Sequence, residues 1–99
     1  MLAMAGGSGG FPNNMFYTYV LKSEKDNCLY VGFSSNLKNR IKEHNEGLVI
    51  ATKNRLPIKL IYYEACLDEK MAIEREKYFK TGFGRKFLKN RLKLANVPS

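Results

Sequence analysis

The chain has 99 residues, room for one domain whose thin core hides only roughly 60–70% of the unfolded surface. Hydrophobic residues make up 44% of it, which excludes wholesale disorder. Seventeen Lys and Arg against nine Asp and Glu give a net charge of +8; a field of that sign favours polyanions, nucleic acid first among them, against the plainer reading of a basic solubility surface.

Residues 1–14 (MLAMAGGSGGFPNN) are rich in Gly and Ser with almost no charge, and they read as a flexible arm outside the fold. The folded domain is expected over residues 15–95, with a tail at 96–99. Phe16 to Lys22 (FYTYVLK) carries the aromatic and β-branched residues of a strand, and Cys28 to Phe33 (CLYVGF) is a second. Only the polar stretch Ser23 to Asn27 separates them, so they form an antiparallel hairpin. Ser34, Ser35 and Asn36 are good N-caps, predicting a helix to about Asn45 that Gly47 ends. A loop from Leu48 to Pro57 leads to a third strand, Ile58 to Glu64. Asp68 caps a second helix from Glu69 to about Lys80. Thr81 to Gly84 (TGFG) is expected to break the chain before a last basic helix from Arg85 to Ala95. The order β-β-α-β-α-α predicts an α/β (α+β) fold: a small, mostly antiparallel three-stranded sheet flanked by helices.

Several classes are excluded or disfavoured. The apolar runs are too short to span a bilayer, and no long basic amphipathic helix suggests a membrane surface. Cys28 and Cys66 fit no C-x-x-C spacing and read as small core residues rather than metal ligands. With no charged and apolar leader at the start, these features point to the reducing cytoplasm. No helix-turn-helix or zinc finger is recognisable, so base-specific reading would need a protein partner or self-association; the oligomeric state is left open.

The hairpin places Tyr19 and Tyr30, eleven positions apart, directly opposite or diagonally across from each other. Gly32 points to the same side as Tyr30 and marks a close approach by a ligand or another backbone, or a simple bulge. On the first helix Leu37 and Ile41 define the core stripe, with Arg40 and His44 one turn apart at its edge. Arg40 is either a phosphate grip or a solvated, ion-paired arginine. His44 reads as a hydrogen-bonding histidine or as part of a catalytic set. On the second helix Glu76 projects between Ala72, Ile73 and Phe79. A carboxylate there needs a partner, either a Lys or Arg or a divalent cation such as Mg²⁺ (or Mn²⁺). Lys53 and Arg55 in the loop, with Arg85, Lys86, Lys89, Arg91 and Lys93 near the end, form a solvated basic face or a phosphate-contacting one. The Gly-rich Thr81–Gly84 segment either offers backbone N–H groups to a phosphate or, the plainer reading, is a linker.

From Phe16 to Leu92 the chain resembles the GIY-YIG nuclease family, in particular its stand-alone bacterial branch related to the N-terminal nuclease domain of the bacterial excinuclease. Tyr17-Thr18-Tyr19 stands at the first motif and Tyr30-Val31-Gly32 at the second. Asn36-Leu37-Lys38-Asn39-Arg40-Ile41, the run Leu56 to Glu64 and Ala72-x-x-x-Glu76 complete the pattern in order. The resemblance implies a metal-dependent endonuclease acting on nucleic acid, with DNA the favoured substrate and the choice between DNA and RNA left open. In that reading Tyr19 and Tyr30 line the site, one of them activates water, Arg40 stabilises the phosphate and Glu76 ligates the metal. His44 lies near the site in parts of the family. Two positions depart from the pattern: Tyr17 replaces the motif's Gly, and Thr18 replaces an aliphatic residue. The family's late Asn has no secure match here; Asn90 is only a candidate, and that role stays open. A tyrosine needs help to act as a base at neutral pH, and Arg40 or a metal is expected to lower its pKa. A non-catalytic nucleic-acid-binding module on the same fold is the competing expectation, and an adaptor for an acidic protein is a third.

Overall fold

A computed structural model describes residues 14–94. The expected N-terminal arm (Asn14 apart), the tail at 96–99 and the expected helix end at Ala95 lie outside the described residues. Three strands, β1 (Phe16–Ser23), β2 (Leu29–Ser34) and β3 (Ile58–Cys66), form one antiparallel sheet in the order β2-β1-β3. Helices α1 (Leu37–Asn45), α2 (Glu69–Phe79) and α3 (Gly82–Leu92) complete the predicted order, and a 3-10 turn spans Lys53–Arg55.

The hairpin closes as its polar turn predicts. Ser23 and Asn27 bond across it, and Asn27 takes a left-handed conformation (φ 61°) that Asn tolerates better than most residues. The register pairs Tyr19 with Gly32 and Leu21 with Tyr30, so the two tyrosines are diagonal neighbours on one face. β1 is central and both of its faces are covered, which is why Thr18, Tyr19, Val20 and Leu21 are all buried.

One face of the sheet meets α2 and α3. Val20, Leu29 and Val31 pack there against Phe79 and Leu88, with Tyr62, Phe87 and Leu92 around them. Each fully buried Leu or Phe in this cluster contributes about 1.5–3 kcal/mol. Thr18 belongs to the same face: its buried hydroxyl donates to the Ala72 carbonyl at 2.8 Å, so the departure from an aliphatic residue ties β1 to α2. Arg75 forks onto Glu64 at 2.8 and 3.1 Å, and its guanidinium lies 4.6 Å above Phe79 and 5.0 Å above Phe87. Burial pushes the Glu64 carboxyl up, but its bonds from Arg75 and Tyr62 outweigh this and hold it below the usual range.

Three local expectations need correction. The TGFG segment does not break the chain: Thr81 caps α3 by accepting from the Gly84 amide at 3.1 Å, and the helix starts at Gly82. Gly84 is there because α3 turns back hard onto α2, and a Cβ would overlap the Tyr78 carbonyl oxygen. Cys28 and Cys66 are free and only half-buried, because Cys28 lies just before β2 and Cys66 ends β3, at the margins of the sheet rather than in its core. The core stripe of α1 is also displaced. Leu37 and Ile41 are half-buried, lining a groove of about 610 Å³ with Tyr17, Leu60 and Tyr63. The fully buried residue of α1 is His44.

Candidate active site

α1 covers the sheet face opposite α2 and α3, and its caps set its position. Asn36 accepts from the Asn39 amide at 3.1 Å, and Gly47 (φ 77°) lies just past the other end. Arg40 and His44 therefore project one turn apart over the part of the sheet that carries Tyr19, Tyr30 and Gly32. The Tyr19 and Tyr30 ring centroids are 6.4 Å apart, and the His44 ring stands edge-on to both, at 5.7 and 5.2 Å.

Tyr19 is sealed, with 1% of its surface exposed, whereas Tyr30 is half-buried. Gly32 accounts for how the Tyr19 ring fits: a Cβ there would overlap its hydroxyl and ring. The close approach expected at Gly32 is thus made by a side chain of the protein itself, across the hairpin, and Gly32 is buried beneath it.

His44 is the hub of the cluster. Its Nε2 lies 2.9 Å from Tyr19 Oη and its Nδ1 lies 2.7 Å from Thr52 Oγ1. Burial, then the charge of Arg40, lowers its pKa below the ordinary 6.5, so the imidazole is neutral at physiological pH. Both ring nitrogens are satisfied, which is how a polar ring tolerates complete burial. Thr52 is itself buried and is not marked out by the sequence; a threonine in a loop eight residues after a histidine carries no local signal.

Arg40 keeps about a third of its side chain exposed and bonds Glu43 at 3.0 Å. Its guanidinium acts on Tyr19, yet the expected lowering of a tyrosine pKa by Arg40 is not the net result there. Burial raises the Tyr19 hydroxyl above its usual value, and Arg40 offsets only part of this. Tyr30 and Glu76 act electrostatically on the same hydroxyl and push it further up. Tyr19, Tyr30, Arg40 and His44 thus come together from two strands and one helix, while Glu76, on α2, touches Lys80 and acts on the cluster only through its charge.

Glu76 is 22% exposed and pairs with Lys80, one turn on, at 3.1 Å. Its partner is therefore the lysine, the plainer of the two sequence readings, in a pair open enough to exchange. Among the described residues no three His, Cys, Asp or Glu side chains cluster as a metal cage. A lone, accessible carboxylate fits a hard cation such as Mg²⁺, which keeps most of its water and takes the rest from a substrate phosphate. It does not fit a soft structural metal.

The expected basic residues fall into two groups. Lys53 and Arg55 are exposed in the loop after α1, which is anchored by Ser23 donating to the Arg55 carbonyl at 2.7 Å. Arg85, Lys86 and Lys89 lie on α3, in the layer on the other side of the sheet, where Lys86 is exposed and Arg85 and Lys89 half-exposed. Arg91 and Lys93 close that helix, exposed as well.

An antiparallel β2-β1-β3 sheet with two motif tyrosines beneath a helix-borne Arg and His defines a class, and comparison with known proteins agrees. The GIY-YIG catalytic domain model matches residues 15–91, and the chain belongs to that nuclease family. Similar curated proteins are stand-alone bacterial chains named as UPF0213 proteins. The one from Clostridium perfringens is 45% identical over 67 residues, covering 67% of this chain and 71% of the relative. That of Bacillus licheniformis is 43% identical over 68 residues, covering 68% and 69%. UPF0213 protein YazA of Bacillus subtilis is 42% identical over 69 residues, covering 69% and 68%. These names state no activity. No solved structure matches the chain significantly.

Proposed function

We propose that this protein is a divalent-metal-dependent endonuclease that hydrolyses phosphodiester bonds in DNA, guided by backbone and shape more than by base sequence. The observation that carries the reading is the convergence of Tyr19, Tyr30, Arg40 and His44 on one cluster, with the Glu76 carboxylate acting on it through its charge.

The roles follow from accessibility. Tyr30 is the phenol that water can reach, so as its phenolate it takes the proton of the attacking water while the new P–O bond forms. The scissile P–O bond breaks, and the leaving oxygen takes a proton from solvent water. Tyr19, sealed under His44, holds the cluster's geometry. Arg40 has enough exposed guanidinium to grip the phosphate undergoing attack and to offset its growing charge. Glu76, released from Lys80, would hold the cation together with water and phosphate oxygens. Such a cation, when bound, neutralises charge on the phosphate and makes water more acidic. Lys53 and Arg55 extend the phosphate contacts along the loop side, and binding is accordingly strongly salt-dependent.

The test is a labelled panel of single-stranded, duplex, nicked, branched and flapped DNA, with RNA beside it, incubated with Mg²⁺, Mn²⁺ or EDTA. Metal-dependent cutting that Glu76→Ala abolishes is the expected result. Salt-sensitive binding without cutting of any substrate would instead identify a non-catalytic nucleic-acid-binding module.

A further inference from the structure

Tyr19, His44 and Thr52 form a buried chain of two hydrogen bonds, Tyr19 Oη to His44 Nε2 and His44 Nδ1 to Thr52 Oγ1. All three residues are at most 1% exposed. The Thr52 end is fixed by the backbone: its amide bonds the Val49 carbonyl at 3.1 Å, and its carbonyl accepts from the Arg55 amide at 2.8 Å. Thr52 Oγ1 has no other hydrogen-bond partner among the described residues.

With a neutral imidazole the chain holds three protons, one on each hydroxyl and one on the ring, for two hydrogen bonds. One proton is left over, and the tautomer of His44 decides where it sits. If Tyr19 donated to Nε2 and Nδ1–H donated to Thr52, the surplus proton would be on a buried aliphatic hydroxyl that can neither pair nor release it. If Thr52 donates to Nδ1 and Nε2–H donates to Tyr19, the surplus lies on a phenol, intrinsically a far more acidic group than an aliphatic hydroxyl even though burial raises it above its usual value. The second arrangement leaves no unpaired proton on Thr52.

We propose that Thr52 is a positioning residue: its hydroxyl donates to His44 Nδ1, fixes the Nε2–H tautomer, and so presents Tyr19 Oη to Arg40 as a hydrogen-bonded, electron-rich oxygen. Thr52 acts through His44 and Tyr19 and touches no substrate. Its influence reaches Arg40, which is paired with Glu43 at 3.0 Å and whose charge also acts on the Tyr19 hydroxyl. The effect on cleavage rests on the nuclease reading, whereas the tautomer does not.

His44 is the only histidine in the chain, so ¹⁵N resonances of a histidine-labelled protein report this ring alone. The wild-type protein is expected to show Nε2 protonated and Nδ1 bare. Thr52→Val removes the hydroxyl at nearly constant shape and is expected to lose that single tautomer. Thr52→Ser is expected to keep it. In cleavage assays Thr52→Val should lower kcat by about tenfold or more with KM within about twofold, and Thr52→Ser should restore the rate. A wild-type ring protonated on Nδ1, or on both nitrogens at neutral pH, overturns the proposal, as does an unchanged tautomer in folded Thr52→Val. Should Thr52→Val fail to fold, the wild-type and Thr52→Ser spectra still decide. The expected tautomer in a protein that cuts nothing upholds the Thr52 assignment and counts against the nuclease reading alone.

Discussion

Replacing Gly32 by alanine asks whether the hairpin and the site are one construction. The added methyl would overlap the hydroxyl and ring of Tyr19, which has nowhere to go: the ring is 1% exposed and its oxygen is held by His44. Overfilling a close-packed site of this kind costs about 1–3 kcal/mol. In a domain of this size about 2 kcal/mol lowers Tm by roughly 8–16 °C. The displaced phenol should also release His44, so cleavage is expected to fall further than the stability loss explains. Gly82→Ala supplies the opposite case, because a Cβ there meets nothing within 4 Å and the residue lies in the first turn of α3. That change is expected to stabilise by about 0.5–1 kcal/mol. Both variants can be measured by thermal and urea melts followed by circular dichroism. A Gly32→Ala protein as stable and as active as wild type would refute the packing argument.

Other consequences are equally direct. Arg75→Ala removes the fork onto Glu64 and a cation lying over Phe79 and Phe87, and with about a third of the pair exposed it should cost about 1–2 kcal/mol in a urea melt. The lowered pKa of His44 means that the unfolded chain takes up this proton first as pH falls, so the group leaves stability unchanged above 6.5 and reduces it from there down through the lower folded value. Calorimetry from about pH 8 to about pH 5 should show that loss in wild type and not in His44→Gln. Lys53→Ala and Arg55→Ala should weaken DNA binding across all sequences and each reduce the slope of log K against log salt by about 1, read by fluorescence anisotropy.

Much of the fold is legible because local chemistry and global packing agree. FYTYVLK and CLYVGF are strands by composition, the polar stretch between them forces a hairpin, and Asn36 and Asp68 cap the helices expected of them. That Tyr19 and Tyr30 lie opposite or diagonal to each other follows from that hairpin, and the register makes them diagonal. What is not legible depends on contacts between segments. Thr81 and its glycines read as a break because their helical use depends on α2 lying close enough to exclude a side chain at Gly84. Leu37 and Ile41 have the right spacing for a core stripe, but the buried place on α1 goes to His44, which finds two hydroxyls under it. Thr52 cannot be singled out, since nothing in its own loop distinguishes a threonine that meets a histidine from one that meets water. The direction of the Tyr19 pKa shift is hidden for a similar reason: Arg40 is visible in the sequence, and the depth of Tyr19 is not.

The central claim is that this cluster cuts nucleic acid, and Tyr30→Phe tests it most directly because only one accessible hydroxyl is lost. Cleavage and binding of the same labelled DNA should be measured side by side for wild type and variant, with Mg²⁺ or Mn²⁺ present. The account predicts metal-dependent cutting by wild type, none by Tyr30→Phe, and equal affinity and melting temperature for both. Equal cutting by the two proteins would contradict the role given to Tyr30, and no cutting by wild type on any substrate would contradict the nuclease reading itself.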